Sequence, residues 1–460
     1  MIKLTTQQLA DILNGTLYGD GRVAIENIST DTRQANPQGL FFALKGERFD
    51  GHQYLANAVE QGALALIVDH QCEIDVPQIV VSDTRLALGQ LGKWLKAQIN
   101  PLTVAITGSS GKTTVKEMTA AILQQSAGDF SQVLFTNGNF NNDIGVPLTL
   151  LRLTPQHKFA VIELGANHLG EIAYTTELVR PNVAMVNNVA AAHLEGFGSL
   201  AGVAQAKGEI YQGLVQQGIA LINLDCNYLA DWQKNIGDHQ VRSFSLTNSQ
   251  ADFYATDIQL NGQGSQFTLH SPQGEIAIQL PYLGEHNISN ALAAAALAMN
   301  VGASLSDVQQ GLAKGAKVKG RLFPIQPCEN LLLLDDTYNA NVDSLQSAIQ
   351  VLQKYPAFRI LIVGDMAELG ENSQLCHQQV ADAAKAAQLD FVASFGHESA
   401  LISAQNGGTH FTEQAALADF ITCLIKEKLA QNQSVVVLAK GSRRMQLENV
   451  IELLKDNFQC

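Results

Sequence analysis

"TVAITGSSGKTTVKEM", from Thr103 to Met118, is the stretch that decides the fold around it. Its opening residues are apolar or β-branched and read as a buried strand. Gly108, Ser109, Ser110 and Gly111 follow as a loop of small residues that can turn sharply and aim backbone N–H groups at one anion. Lys112, Thr113 and Thr114 then open a helix, whose N-terminus carries partial positive charge. Lys112 supplies a point charge, and the Thr113 hydroxyl stands where a Mg²⁺ ligand belongs. The spacing is TGxxGKT, shorter than the common GxxxxGK[ST] loop, because Ile106 takes the place of that motif's first glycine. A strand before, a helix after and a hydroxyl behind the lysine favour a nucleoside triphosphate over a turn that merely contains Gly-Lys.

Outward from this loop the chain alternates strands and helices. "LTVAIT", "FAVIEL", "NVAMVNNV" and "IALINLD" are continuous apolar runs, as parallel strands covered on both faces require. Between Gln240 and Gly284 the period becomes two, and "SQFTLHSPQGEIAIQLP" predicts an antiparallel hairpin turning at Ser271 to Gly274. From about Val318, "LLLLDD", "RILIVGD", "DFVASFG" and "SVVVLAKG" alternate with amphipathic helices and predict a second doubly wound sheet. Before the phosphate loop, "GLFFAL" and "ALALIV" read as short strands, with a helix from His52 to Gln61. "DTRLALGQLGKWLKAQIN" reads as a connecting helix. The expectation is an α/β protein of three domains. These are a small N-terminal α/β domain over 1–82, a central P-loop parallel-sheet ATPase domain with an antiparallel portion over 83–317, and a C-terminal Rossmann-like domain over 318–460.

Composition narrows the partners. A chain of 460 residues exceeds what one hydrophobic core organises. With 46% hydrophobic and 16% charged residues, it reads as an ordinary soluble globular protein. The formal charge of -14, without a run of Lys and Arg, argues against nucleic acid or an anionic membrane as partner. "MIKLTTQQLADIL" reads as a short amphipathic helix capped near Thr5 or Thr6, not as a signal peptide. "NALAAAALAMNVG" is too short to span a bilayer, so no membrane insertion is expected. The six cysteines are scattered without ligand spacing, as expected of reduced thiols in a cytoplasmic protein.

Two further groups suggest chemistry. Glu163 ends an apolar strand, where a carboxylate needs a ligand, a helix cap or an ion pair to justify it. His193 opens the loop after "NVAMVNNV". "VIELGANHLGEI", "NNVAAAHLEGFGS", "QAKGEIY", "GEHNISNALAAAALA", "KGRL" and "DDTYNANVDS" follow TGSSGKTT in that order, and the ordered set resembles the ATP-dependent Mur ligases of peptidoglycan synthesis. "STDTRQANPQGLFFALKGERFDGH", "GNFNNDIGVPLTLLRL", "LIVGDMAELGENSQLCH" and "AKGSRRM" are most similar to the branch that adds D-alanyl-D-alanine.

The resemblance implies a division of labour. ATP would be held by Gly108, Ser109, Ser110, Gly111, Lys112, Thr113, Thr114, Asn287, Arg321 and Asp336. Two Mg²⁺ ions would be held by Thr113, Glu163, His193 and Lys207, the last as a carbamate formed with CO₂. Lys112, Glu163, His193 and Lys207 would form the catalytic set. The uridine end of UDP-N-acetylmuramoyl-tripeptide would rest on Ser29, Thr32, Arg33, Lys45, Arg48 and His52. Asn141, Asn142 and Asp143 would meet its peptide or sugar, and Lys440 and Arg443 the D-alanyl-D-alanine carboxylate and peptide arm. A monomer is the expected form, with ATP activating the tripeptide carboxylate as an acyl phosphate.

Read locally, Lys207 also suits a surface lysine, Asp336 a strand-terminal carboxylate, and the N-terminal candidates a polar turn. Competing readings are a ligase of the same architecture for another amine, folylpolyglutamate synthetase, or a nucleotide switch without bond formation. No DNPR-like run appears in the third region, the folate enzyme leaves the long segment before the phosphate loop unexplained, and a switch has no need of Lys207, Asn287, Arg321 and Asp336 together.

Overall fold

Thr103–Thr107 is wholly buried, as a continuous apolar strand must be to repay its burial. In the computed structural model, which describes residues 3–46, 49–192, 194–315 and 318–458, this strand (Leu102–Thr107) is the hub of the central sheet. It pairs in parallel with Phe159–Glu163 on one side and Val183–Val186 on the other. The phosphate loop therefore leaves the sheet where strand order departs in both directions, the crevice in which open α/β sheets bind ligands. The nine-stranded sheet continues through Ile219–Asn223, Gln240–Ser245 and Phe253–Asn261, all in parallel. Gly264–Ser271 and Gly274–Leu280 then add two antiparallel edge strands, with Ser271 opposite Gly274 as the hairpin reading requires. The antiparallel portion is thus an extension of the same sheet.

Helix Lys112–Ala127 packs on this sheet beside His286–Met299 and Leu305–Lys314. Ala291 to Ala298 are all fully buried. Their small side chains let His286–Met299 lie close to the phosphate-loop helix, bringing Asn287 and Asn290 to that helix's start. Leu305–Lys314 approaches equally closely, since a Cβ on Gly311 would stand 2.5 Å from Ile122 Cα.

The N-terminal region forms a five-stranded sheet ordered Thr16–Tyr18, Gln78–Val80, Ala63–Val68, Gly39–Phe42, Asn27–Ser29. Thr5 caps helix Thr6–Leu13 in a capping box with Gln8. The helix expected from His52 begins as a 3₁₀ turn, Gly51–Tyr54, before Leu55–Glu60. Helix Thr84–Ile99, capped by Asp83, joins the two regions, its Leu88, Leu91 and Leu95 sharing one core with Leu13, Ile79 and Leu150.

The third sheet runs Phe323–Cys328, Leu331–Asp335, Val435–Lys440, Phe358–Gly364, Phe391–Phe395, Thr409–Phe411, parallel except for its first strand. That first strand escapes a reading by alternation because it carries Pro324 and Pro327. Proline cannot donate to a ladder and is confined to edges such as this one. Among the described residues no helix is long and apolar enough to cross a membrane, and Cys72, Cys226, Cys328, Cys376 and Cys423 are free thiols.

Candidate active site

The phosphate loop is held by amides from two other elements. Ser109 N donates to Asn188 O at 3.1 Å and Ser110 N to Asn188 Oδ1 at 2.9 Å. Ser110 O accepts from Asn187 Nδ2 at 3.0 Å and from Asn188 Nδ2 at 3.1 Å. Asn187 Nδ2 also donates to Asn290 Oδ1 at 3.1 Å, and Asn290 Nδ2 donates to Asn287 Oδ1 at 3.0 Å. Gly111, at φ 76°, sits against this chain of amides, and a Cβ there would stand 2.6 Å from both Asn187 Nδ2 and Asn290 Oδ1. Only glycine meets both the left-handed backbone and the close approach.

Glu163 lies opposite Ile106 across the strand pair and is 2% exposed. Its Oε2 accepts from Thr113 Oγ1 at 3.1 Å and its Oε1 from Asn141 Nδ2 at 2.8 Å. Lys112 Nζ donates to Gly108 O at 2.7 Å. Burial pushes the Lys112 pKa down; Glu163 opposes that shift, and Arg321 adds to it. Lys207 is also 2% exposed, its Nζ 5.8 Å from the Phe197 ring centroid, and burial together with the Lys112 charge holds it well below the ordinary lysine value. Several cations and one buried carboxylate thus converge, an arrangement suited to bringing anions together. The Thr113 hydroxyl and Glu163 carboxylate, both hard oxygen donors at a helix start, suit a divalent cation such as Mg²⁺.

Two clefts meet here. One, of about 750 Å³, is lined by Thr114, His286, Asn287, Asn290, Asp336 and Lys440. The other, of about 690 Å³, is lined by Lys112, Asn141, Asn142, Glu163, Lys207 and Arg443. Ser110, Gly111, Arg321 and Ser344 line both. In the first cleft Asp336 Oδ2 pairs with Lys440 Nζ at 2.8 Å while its Oδ1 accepts from Leu322 N at 3.2 Å. Burial pushes His286 down to about 4, against the opposing pull of Asp336.

Other candidates lie elsewhere. Asp143 pairs with Arg85 at 2.9 Å and lines neither cleft. Lys440, expected beside Arg443, is turned into the first cleft by its pairing with Asp336. Ser29 ends strand Asn27–Ser29 with Thr32 and Arg33 just beyond it, and Lys45 and His52 come after the adjacent parallel strand Gly39–Phe42, so these candidates lie at or beyond the carboxyl ends of neighbouring strands and line neither cleft. Arg33 pairs with Asp31 at 2.7 Å. The His52 ring meets Asp50 Oδ1 through Nδ1 at 2.6 Å and accepts from Asp69 N through Nε2 at 3.2 Å. Arg48 and His193 lie outside the described residues. Sequence reasoning passed over Asn187, Asn188, Asn290 and Tyr338. The spacing of Asn290, three residues after Asn287 on one helix face, was the one available signal.

Known proteins are similar to this chain over its whole length. The Mur ligase middle domain matches residues 106–298, the glutamate ligase domain of Mur ligases residues 320–443, and the catalytic domain of the Mur ligase family residues 24–93. UDP-N-acetylmuramoyl-tripeptide–D-alanyl-D-alanine ligase of Haemophilus influenzae is 62% identical, with 100% of each chain covered. A crystal structure of MurF from Acinetobacter baumannii superposes with a TM-score of 0.92 at 40% identity over 99% of both chains. MurF ligase from Thermotoga maritima in complex with ADP gives 0.83 at 26% identity, over 94% of this chain and 98% of that one.

Proposed function

Because the chain belongs to the Mur ligase family, we propose that it is the ATP-dependent ligase that joins D-alanyl-D-alanine to UDP-N-acetylmuramoyl-tripeptide in peptidoglycan synthesis. The observation that carries this reading is the 62% identity, over its whole length, to a ligase of that name. The two clefts sharing Ser110, Gly111 and Arg321 support it, because the reaction needs a nucleotide and a carboxylate to meet at one phosphorus.

A MurF relative from Thermotoga maritima is solved in complex with ADP, and in this reading the first cleft takes ATP, with Asn287 toward the base, Asp336 toward the ribose and the phosphates on Gly108 to Thr114. The second takes the tripeptide carboxylate and then the dipeptide amine. Two unit charges about 4 Å apart repel by roughly 4 kcal/mol at an effective dielectric of 20, so the anions must be screened before they react. Lys112, lining the second cleft, and Arg321, lining both, supply that screening. Thr113 and Glu163 would hold Mg²⁺, which when bound supplies further charge cancellation. Asn141 fixes the Glu163 carboxylate for this task. Lys207, buried near Lys112 with its pKa well down, would react with CO₂ to give a carbamate, placing an anion beside the Lys112 cation and adding an oxygen ligand.

The carboxylate oxygen attacks the γ-phosphorus as the bond to ADP breaks. The dipeptide amine then attacks the acyl carbon, and phosphate leaves with the carboxylate's former oxygen. An α-amine, with a pKa near 8, is already partly neutral at pH 7, so no strong base is required. Dependence on ATP suits a cytoplasmic setting. UDP from the substrate would rest on the N-terminal sheet at Ser29, Lys45 and His52. The test is ATP hydrolysis with UDP-N-acetylmuramoyl-tripeptide and each candidate amine in turn. D-alanyl-D-alanine alone should stimulate it; equal stimulation by diaminopimelate or glutamate overturns the assignment.

A further inference from the structure

We propose that Tyr338 is a positioning residue for Arg321, presenting its guanidinium edge to the phosphates at the junction of the two clefts. The inference rests on the nucleotide reading above and assigns Tyr338 a task within it. Arg321 Cζ lies over the Tyr338 ring, 4.3 Å from its centroid, a cation–π contact. A cation–π contact draws on the charge of the guanidinium without consuming its five N–H donors, which stay available to an anion. Among the described residues Arg321 has no ion pair, so its donors are unspent although it lines both clefts.

The backbone beneath the side chain is built to the same end. Arg321 stands between two residues in the left-handed region, Gly320 at φ 77° and Leu322 at φ 48°. Leucine rarely adopts that conformation, and such residues persist only where their surroundings hold them. Here the N–H groups on either side of Arg321 are each held by a carboxylate. Gly320 N donates to Asp335 Oδ2 at 3.1 Å, and Leu322 N donates to Asp336 Oδ1 at 3.2 Å. Asp335 is itself fixed, its Oδ1 accepting from Thr337 Oγ1 at 2.6 Å. Tyr338 N donates to Gly320 O at 3.3 Å, and a Cβ on Gly320 would stand 3.0 Å from Tyr338 Cβ. The turn carrying Arg321 therefore rests directly on Tyr338, which holds both its backbone and its guanidinium. A long arginine without this support would spread over many rotamers and lose entropy on each binding event.

A double-mutant cycle tests this. Tyr338→Leu, Tyr338→Phe, Arg321→Ala and the Tyr338→Leu/Arg321→Ala pair are compared in steady-state turnover and in calorimetric binding of a non-hydrolysable ATP analogue with Mg²⁺. Tyr338→Leu is expected to weaken ATP use and analogue binding roughly tenfold, the upper part of the range for a partly desolvated cation–π contact. Tyr338→Phe, which keeps the ring, should restore wild-type values. In the Arg321→Ala background Tyr338→Leu should cost nothing further. Equal loss in both backgrounds, or a Phe variant as impaired as the Leu variant, overturns the proposal. Where Arg321→Ala turns over too slowly to read, the calorimetric cycle decides. Wild-type protein that binds the analogue but forms no amide with D-alanyl-D-alanine refutes the functional reading, and the binding cycle still reports on Tyr338.

Discussion

Replacing Gly111 with alanine separates the amide cluster from ordinary backbone strain, because one helix offers its own control. Helix Lys112–Ala127 is flanked by Gly111 at φ 76° and Gly128 at φ 72°. Any Cβ in that region costs about 1–2 kcal/mol, partly offset by about 0.4–1 kcal/mol from a less flexible unfolded chain. Nothing lies within 4 Å of a Cβ at Gly128, so Gly128→Ala should show only this net cost of about 1 kcal/mol, without effect on nucleotide affinity. At Gly111 the new Cβ would stand 2.6 Å from Asn187 Nδ2 and Asn290 Oδ1, whose mutual hydrogen bond must open. Opening a buried pair costs about 1–3 kcal/mol, and because Asn187 also holds Ser110 O the loss falls on the phosphate loop. Taking the middle of that range, ADP should bind Gly111→Ala about thirtyfold more weakly. Calorimetric titration of ADP into the two variants and the wild type reads this directly. A Gly111→Ala affinity within threefold of wild type, or an equal loss in Gly128→Ala, refutes the claim that the asparagine cluster sets the loop.

Three further outcomes follow from the same geometry. Asn141→Ala removes the donor at 2.8 Å from Glu163, and losing a hydrogen bond to a buried carboxylate costs about 2 kcal/mol. Turnover should fall about thirtyfold while ADP affinity stays within twofold, and parallel loss of both would contradict the placement of Asn141 on the carboxylate side. His286 titrates at about 4 in the fold and near 6.5 when unfolded, so the unfolded chain binds the extra proton between those values. Stability is whole above pH 6.5 and declines toward pH 4; the difference between wild type and His286→Gln, followed by thermal unfolding, should shrink across that window and be constant above it. Asp365 accepts from the backbone N–H groups of His397, Glu398 and Ser399 at 2.9–3.1 Å. In Asp365→Ala, hydrogen exchange at those three amides should quicken roughly a hundredfold, equivalent to about 3 kcal/mol of local stability.

Much of this was legible because the decisive residues announce themselves locally. A strand ending in TGSSGKTT, an apolar run ending in Glu163 and an alanine-rich helix after Asn287 each carry a pattern that physics restricts to few structures. What stayed hidden depended on three-dimensional neighbours. Asn187, Asn188 and Asn290 are amides without periodicity or charge, and only the pairing of Val183–Val186 with Leu102–Thr107 brings the first two under the loop. Lys440 closes a strand whose partners are far off in sequence, so the cleft it faces follows from its contact with Asp336. Phe323–Cys328 is a strand that alternation could not reveal, because its prolines are tolerated only at an edge. Tyr338 reads as one more residue of a polar loop until the Gly320 turn folds onto it.

Isotope transfer tests the central claim most directly. UDP-N-acetylmuramoyl-tripeptide carrying ¹⁸O in both oxygens of the reacting carboxylate is turned over with ATP and D-alanyl-D-alanine, and the released phosphate is weighed by mass spectrometry. A carboxylate activated at the junction of the two clefts leaves one ¹⁸O in each phosphate and the other in the new amide. Phosphate free of label, with amide still formed, would contradict it.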